Sequence, residues 1–305
     1  MKIAAVLNED SGTLRTARVD EYCQFLDQLC ASHGHQAEIS PVHGDQLAET
    51  LEKVFNTRNT DAVFVAGGDG TISAAARLAW KAQIPLGVIP AGTMNLFARS
   101  LKIPLEIEDA ARALVAGQAF SVDIATANGR PFLLQYTAGF HPQIVHQRNE
   151  AQFNSRLGKI RATIFAALDA IRRPPSFAVE VMLDGKTREM TLSSIAVSNN
   201  PYGEGHLPYA DDLTGGTLAI YLARPADIAT NAKMLADLTL GTWRANPDIQ
   251  EMQAKEVRLR FPSRHKRAKA SIDGELITLE GAVEFSIHPA ALPVILPGTI
   301  PEQAL

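Results

Sequence analysis

The chain has 305 residues, of which 46% are hydrophobic, and its 29 Lys and Arg against 33 Asp and Glu give a formal net charge of -4. This length suffices for two domains with separate cores, and the charge excludes a polycation that holds nucleic acid. No apolar run reaches the roughly 18–20 residues of a membrane-spanning helix, and the N-terminal apolar run is too short for a signal peptide. We therefore expect a cytoplasmic protein without a nucleic-acid partner.

The first 120 residues alternate buried strands with amphipathic helices. Strands are predicted at 2–7, 36–40, 62–66 and 85–89, and helices at 17–33, 45–57, 72–82, 94–101 and 107–116. Asp45 is the predicted cap of the second helix. This order predicts a doubly wound α/β domain with a parallel sheet, in which ligands bind beyond the carboxyl ends of the strands.

The strand at 62–66 runs into a glycine turn, Gly67-Gly68-Asp69-Gly70-Thr71, and then into a helix. Glycines let the backbone approach a ligand closely, and the first N–H groups of the new helix face an anion. The turn is neither a Walker A loop nor a dinucleotide-binding fingerprint. It resembles the signature shared by diacylglycerol and sphingosine kinases, NAD kinases and phosphofructokinases. The alternative is a packing turn in which Asp69 caps the helix.

Two further polar turns follow strands of the same sheet. They begin at Asn8 and at Pro90, so that Asn8, Asp69 and Thr93 are all expected at the edge formed by the carboxyl ends of the strands. Each turn alone could be an ordinary loop. Together they predict a phosphate site.

The second part of the chain contains short strands separated by turn residues. Strands are predicted at 120–127, 131–138, 176–183, 188–198, 217–223, 256–261, 268–273 and 282–287, with helices at 155–172 and 226–239. Asn128-Gly129 predicts a two-residue hairpin turn. These features predict an antiparallel, sandwich-like domain. The predicted boundaries are 1–122 for the first domain, 123–288 for the second, and 289–305 for an irregular, proline-containing tail that packs back on the first domain.

An ordered set of motifs carries a wider resemblance. The motifs are Asn8-x-x-Ser11-Gly12, Ser40-x-x-x-Gly44, the glycine turn, Pro90-x-Gly92-Thr93-x-Asn95-x-Phe97-Ala98-Arg99, Val122-Asp123, Asn199-Asn200 with Gly203-x-Gly205, and Asp273-Gly274-Glu275. Over nearly its whole length the chain resembles the bacterial soluble lipid kinases of the diacylglycerol kinase catalytic-domain family, relatives of sphingosine kinases. It lacks the Asn-Glu pair usual in NAD kinases and the arginine signatures of phosphofructokinases.

The resemblance implies ATP- and Mg²⁺-dependent phosphorylation of a lipid hydroxyl. The first domain would bind the nucleotide and the second the lipid. The residues implied to surround the nucleotide are Asn8, Ser11, Gly12, Ser40, Gly67, Gly68, Asp69, Gly70, Thr71, Ile72, Ser73, Gly92, Thr93 and Asn95.

Four acids are implied to carry the chemistry. Asp273 matches the family's catalytic motif and would be the base, with Glu275 as the alternative base. Asp69 would hold Mg²⁺ directly or through water, and Asp123 would join the acidic network. The alternative for Asp273-Gly274 is a simple hairpin turn.

Three positions depart from the family pattern. Glu9 stands where relatives often have Pro, and Leu96 removes an acidic link. Gly215 replaces the Asp that ligates a structural Mg²⁺ in many relatives, so we assign no structural metal ligand.

Membrane contact and assembly are also expectations. The basic run at 264–269 would attract anionic lipid, and the alternative for it is a solvated loop. The helix at 155–172 would cover the lipid entrance or rest on the membrane, and the alternative for it is a core-packed helix. The family implies a homodimer. The lipid could be a diacylglycerol, a monoacylglycerol, phosphatidylglycerol, a sphingoid base or a polyprenol. The alternative functions are an NAD-kinase-like enzyme with a soluble acceptor and a catalytically silent nucleotide or lipid sensor.

Overall fold

A computed structural model describes residues 1–57, 59–140, 142–143, 145, 175–183, 185–263 and 268–298. The helix predicted at 155–172 and most of the basic run lie outside the described residues. The chain divides into two compact units. Unit 1 comprises Met1–Ile124, Asp211–Gly215 and the chain from His288 onward, and unit 2 comprises Ala125–Ala210 and Gly216–Ile287. None of the helices in the described ranges is long and apolar enough to cross a membrane.

Unit 1 contains a parallel sheet in which four strands follow the order β2-β1-β3-β4. The strands are β1 Lys2–Asn8, β2 Gln36–Val42, β3 Ala62–Gly67 and β4 Leu86–Pro90. The helices are α1 Val19–Ser32, α2 Leu47–Asn56, α3 Asp69–Ala82, α4 Leu96–Ser100 and α5 Ile107–Val115. Every residue of β3 and β4 is buried, as expected for central strands of a covered parallel sheet. The predicted α/β fold class is confirmed.

Two helix starts differ from the prediction. Helix α2 begins at Leu47 with Gln46 as its N-cap, so the prediction that Asp45 caps it was wrong. Helix α3 begins at Asp69, three residues before its predicted start, because the Gly68 carbonyl already accepts a helical hydrogen bond from the Ile72 N–H at 3.0 Å.

The predicted irregular tail is a strand in its described part. Strand β16, Ala282–Leu296, continues past the predicted end at 287, and Val294 pairs in parallel with Leu86. Leu292 and Val294 are fully buried, so apolar burial outweighs the cost of the prolines in this segment.

Unit 2 contains two antiparallel sheets. One sheet follows the order β12-β11-β10-β7-β14-β15. The other follows the order β9-β8-β13-β16, where the first residues of β16 take part, and β5 pairs with both β16 and β6. The strands are β5 Gln118–Ala127, of which only the last three residues belong to unit 2, β6 Arg130–Phe132, β7 Gln135–Gly139, β8 Phe177–Leu183, β9 Lys186–Leu192, β10 Ser194–Asn199, β11 Leu218–Ala223, β12 Ile249–Ala254, β13 Glu256–Arg260, β14 Lys269–Ile272 and β15 Glu275–Thr278. Helix α6 spans Ile228–Leu240. Buried residues from both sheets form one core, which confirms the antiparallel second domain.

One hairpin turn of unit 2 was predicted correctly, whereas two of its predicted strands are broken. Asn128 and Gly129 have φ values of 48° and 76° and form the predicted hairpin turn. The strand predicted at 188–198 is two strands, because Ser193 interrupts it and donates its N–H to the Ala223 carbonyl. The strand predicted at 131–138 is also broken, at 133–134. Strands β12 and β15 were not predicted from the sequence.

Candidate active site

The loops at the carboxyl edge of the parallel sheet in unit 1 are connected by hydrogen bonds. The Asn8 side chain donates to the hydroxyl of Thr71 at 3.0 Å, which joins the end of β1 to the glycine turn. The Thr13 N–H donates to the Ala91 carbonyl at 3.0 Å. The structure therefore brings together three turns that are far apart in sequence, as their positions after parallel strands predict.

The glycines at this edge allow very close backbone packing. A Cβ on Gly67 would lie 2.4 Å from the Thr71 methyl, and a Cβ on Gly92 would lie 2.5 Å from the Gly68 Cα. Gly70 differs, because a Cβ there would meet no atom within 4 Å. Gly70 lies in the first turn of the 14-residue helix α3, where unpaired N–H groups and the helix dipole favour an anion.

Asp69 links the glycine turn to the next loop. Its carboxylate accepts hydrogen bonds from the N–H groups of Asn95 at 3.0 Å and Leu96 at 2.7 Å, at the start of helix α4. Burial raises the pKa of the Asp69 carboxyl above its ordinary value, while these two backbone hydrogen bonds oppose the shift. Asp69 therefore positions the 92–96 loop. Because the hydrogen bond from Leu96 comes from its backbone N–H, it does not depend on the side chain at this position.

Other residues implied to contact the nucleotide lie in different environments. Gly12 and Thr93 are exposed at the edge, and Ser11 is buried with no hydrogen-bond partner for its hydroxyl among the described residues. Ser73 is 2% exposed and accepts a hydrogen bond from Arg77 at 3.4 Å. Ile72 is also buried, so neither Ile72 nor Ser73 presents its side chain to solvent.

Two more predicted positions lie beside the connected loops. Ser40 pairs with Val6 inside the sheet, two residues before β2 ends at Val42. Asn95 is a loop residue with φ of 51°, and its side-chain oxygen accepts the Gly92 N–H at 2.9 Å. Asn95 thus holds the shape of its own turn.

Asp123 is 1% exposed and accepts a hydrogen bond from the Ala290 N–H at 2.9 Å. Ala290 has φ of 48°, a left-handed conformation that is uncommon for residues other than glycine. The buried carboxylate therefore stabilises an uncommon backbone conformation at Ala290 within β16.

Asp273 and Gly274 form a hairpin turn in unit 2. Their φ values are 47° and 83°, and Ile272 pairs with Glu275 across the turn. These positive φ values are those of the two-residue turn that favours Asp-Gly. The turn interpretation is thus confirmed, and a turn is compatible with a chemical role for its acids.

The partners of these acids were not predicted. The Asp273 carboxylate accepts three backbone N–H groups, from Leu133 at 2.9 Å, Leu134 at 2.9 Å and Gln135 at 3.1 Å. The only related sequence signal is the Asp-Gly pair itself, which predicts the turn and not its partners. The Glu275 side chain is 57% exposed and forms an ion pair with Arg130 at 2.5 Å.

Comparison with known proteins assigns the chain to a family. Residues 2–127 match the diacylglycerol kinase catalytic domain, and residues 137–296, more than half of the chain, match the YegS C-terminal NAD kinase beta sandwich-like domain. The chain belongs to the diacylglycerol kinase catalytic-domain family with a YegS-type C-terminal domain. The resemblance inferred from the ordered motifs is confirmed.

Individual proteins and solved structures are also similar to this chain. A Staphylococcus epidermidis protein named "Putative lipid kinase" is 26% identical over 300 residues, covering 91% of this chain and 90% of that protein. An uncharacterized protein of Synechocystis is 28% identical over 270 residues, covering 83% of this chain and 60% of that longer protein. A crystal structure described as a "putative diacylglycerol kinase" from Bacillus anthracis has the same fold, with a TM-score of 0.73, 20% identity, and coverage of 97% of this chain and 96% of that one.

The described residues of this kinase-family chain include no group of three or more His, Cys, Asp or Glu side chains that could hold a metal ion. Both Asp69 oxygens already accept backbone hydrogen bonds, although each retains further acceptor capacity. Near Gly215, the Asp212 carboxylate accepts the N–H and the hydroxyl of Thr214, both at 2.7 Å. Asp69 could therefore be one ligand of a Mg²⁺ ion whose other ligands are phosphate oxygens and water. It does not fit a site in which protein side chains supply all the ligands.

Unit 2 of this kinase-family fold also contains an apolar cavity of about 180 Å³ beneath helix α6. Tyr202 and Tyr221 stack with ring centroids 4.5 Å apart, and Trp243 meets both rings edge-on. The Tyr202 hydroxyl donates to the Gln135 side chain, and burial raises its pKa well above the ordinary value, so it stays a neutral donor. The remaining lining is mainly aliphatic and includes Met234, Leu235 and Leu238 of α6.

Proposed function

We propose that the protein transfers the γ-phosphoryl group of ATP to a hydroxyl group of a lipid. The observation that carries the proposal is the connected edge of the parallel sheet, where a Cβ on Gly70, in the first turn of α3, would meet no atom within 4 Å. This edge belongs to a diacylglycerol kinase-type catalytic domain. Phosphoryl transfer depends mainly on positioning and charge stabilisation, and residues at this edge would supply both.

The first turn of α3 would bind the phosphates of ATP through backbone N–H groups. Thr93 and Gly12 are exposed at the same edge and would contact the nucleotide. Asp69 is the residue that would hold Mg²⁺, directly or through water, and the bound ion would neutralise charge on the phosphates. Asn8 and Asn95 would keep the surrounding loops in place through their observed hydrogen bonds.

The reaction forms one bond and breaks one bond at phosphorus. The lipid hydroxyl oxygen bonds to the γ-phosphorus, and the bond from that phosphorus to the bridging oxygen of ADP breaks, with the electron pair leaving on ADP. The hydroxyl proton passes to a carboxylate of the 273–275 turn. The products are ADP and a phosphomonoester of the lipid.

The cavity under α6 supports a lipid acceptor, because aromatic and aliphatic side chains line it as they would an acyl-chain site. A lipid acceptor requires contact with a membrane surface, so we propose peripheral association with the inner membrane surface. We also propose a cytoplasmic location and a homodimer, following the family resemblance. Nucleic acid is not a proposed partner.

The test measures transfer of labelled γ-phosphate from ATP and Mg²⁺ to a panel of lipids in mixed micelles. Wild type is expected to label one lipid class, and Asp69→Ala should lower the rate at least about 100-fold because it removes the acid beside the phosphates. Asp109→Ala, at an exposed acid in the first turn of α5, is the control and should retain wild-type activity.

Two other outcomes would contradict the proposal. Phosphorylation of NAD without labelling of any lipid would indicate the NAD-kinase-like alternative. Saturable ATP binding without transfer to any lipid would indicate a sensor, the alternative that the departures at Leu96 and Gly215 motivate.

A further inference from the structure

Residues 211–215 form a short segment of unit 1 that lies between two stretches of unit 2 in the sequence. Of these residues, all described by the structure, only Leu213 is buried. One buried side chain offsets little of the conformational entropy lost when such a segment is ordered, so further contacts must hold it. The family resemblance implies that a structural Mg²⁺ supplies such a contact in many relatives, through an Asp at the position of Gly215.

Asp123, in β5 of the same unit, fixes the middle of the 211–215 segment. It donates its N–H to the Leu213 carbonyl at 2.8 Å, and its carboxylate accepts the Ala290 N–H at 2.9 Å. Asp123 is 1% exposed, so water competes little for these hydrogen bonds. One buried residue therefore connects the segment to two other parts of unit 1.

Asp212 fixes the backbone within the segment. One oxygen of its carboxylate accepts both the N–H and the hydroxyl of Thr214, each at 2.7 Å. An aspartate that accepts the N–H two residues later forms an Asx-turn, which replaces a backbone turn with a side chain. A carboxylate oxygen has about two lone-pair sites, so these two donors occupy the sites that a metal ion would need on this oxygen.

The oxygen atoms near Gly215 do not fit a structural metal site. Mg²⁺ and Ca²⁺ take roughly six to eight oxygen ligands, and Gly215 has no side chain to supply one. In the described part of the chain, no group of three or more His, Cys, Asp or Glu side chains could hold a metal ion. Besides Asp211 and Asp212, the small cavity at this segment is lined by apolar side chains, including Leu101, Phe120, Val122 and Leu296. The observed hydrogen bonds therefore take the place of metal ligation.

We propose that the 211–215 segment is held in unit 1 without a divalent cation, by the burial of Leu213 and the hydrogen bonds of Asp123 and Asp212. The missing carboxylate at Gly215 distinguishes this chain from relatives with a structural Mg²⁺. The inference is independent of the proposed function, because it concerns neither the nucleotide nor the lipid.

The test measures hydrogen exchange in the full-length protein without nucleotide, once in EDTA and once in millimolar Mg²⁺. The reporter is a peptide spanning 211–217, which contains the Thr214 N–H. Wild type should exchange at the same rate in both buffers. Asp212→Ala removes the acceptor of the Thr214 N–H, so the peptide should exchange at least about tenfold faster, equally in both buffers. Asp109→Ala, at an exposed acid of α5 in the same unit, is the control and should leave the exchange unchanged.

Gly215→Asp supplies the missing carboxylate at an exposed position beside Asp211 and Asp212. Its 211–217 peptide should exchange about tenfold more slowly in Mg²⁺ than in EDTA, which is the ratio expected when the Mg²⁺ concentration is about ten times Kd. Gly215→Asn is the matched control, because it adds a side chain of similar shape without the charge. It should exchange at the same rate in both buffers.

Slower exchange of the wild-type peptide in Mg²⁺ than in EDTA would overturn the proposal that the segment is held without a cation. Unchanged exchange in Asp212→Ala would overturn the role of the Asp212 turn. A Gly215→Asp protein that does not respond to Mg²⁺ would overturn the assignment of Gly215 as the residue that removes the metal site. If Gly215→Asp fails to fold, the comparison of wild type with Asp212→Ala in the two buffers still supports or overturns the proposal.

Discussion

At the scale of single residues, three of the predicted acids share one structural property. The carboxylates of Asp69, Asp123 and Asp273 each accept backbone N–H groups from a distant segment. The motifs identified these acids, because the residue types and their order are written in the sequence. Their backbone partners could not be predicted, since those contacts depend on loop conformations that no spacing rule specifies.

The two glycines at 70 and 92 provide a test at this scale. Gly92→Ala should lower the free energy of unfolding by about 1–3 kcal/mol, because its Cβ would overlap the Gly68 backbone. Gly70→Ala should leave stability equal or raise it by up to about 1 kcal/mol, because the helix gains an alanine in open space. Chemical denaturation measures both effects.

The same pair separates packing from binding. Gly70→Ala should weaken binding of Mg-ATP, measured by calorimetry, because the added methyl would occupy open space at the first turn of α3, where the phosphates are proposed to bind. Unchanged ATP affinity in the Gly70→Ala protein would contradict the placement of the phosphates. A large loss of stability in that variant would show that Gly70 is also a packing residue.

At the scale of helices and strands, the period of hydrophobic residues predicted most elements. The observed ends of several elements differ from the predicted ends, because local hydrogen bonds and burial determine where an element stops. Helix α2 uses Gln46 as its cap although Asp45 has the better capping side chain, and β16 continues through prolines because its apolar residues are buried. The strand breaks at 133–134 and at 193 depend on partners from other strands. Such breaks cannot be predicted from the period of one segment.

Helix α6 offers a prediction of pH dependence. Its N-cap Asp227 accepts the Thr230 N–H at 2.8 Å, and this hydrogen bond lowers the pKa of the Asp227 carboxyl below the ordinary value of 3.8. A lowered folded-state pKa means that the stabilisation is present above pH 3.8 and is lost as pH falls through the folded-state value. Asp227→Ala should therefore lower Tm at pH 7, and the difference from wild type should shrink with acidification below this point.

The charge of the cap can be separated from its shape with Asp227→Asn. The asparagine oxygen still accepts the Thr230 N–H but does not titrate, so the gap in Tm between the Asn and Ala variants should stay constant with pH. A wild-type advantage over Asp227→Ala that persists unchanged into acid would contradict the assigned cap.

At the scale of the whole molecule, the change from alternating strands and helices to short strands with turns predicted two domains of different fold class. The sequence did not predict that residues 211–215 return to unit 1 or that β16 contributes residues to both units. These are long-range arrangements, which single-segment patterns do not encode. The family match covers both parts of the chain and agrees with the order of motifs along it.

The most direct test of the central claim is the stoichiometry of ADP and phosphorylated lipid formed from Mg-ATP and the labelled lipid class. We expect ADP to form only when that lipid is present, in a one-to-one ratio with the lipid phosphomonoester, and both products to decline together in Asp69→Ala. ADP formation that is independent of lipid, or that exceeds the lipid product, would contradict phosphoryl transfer to a lipid hydroxyl at this site.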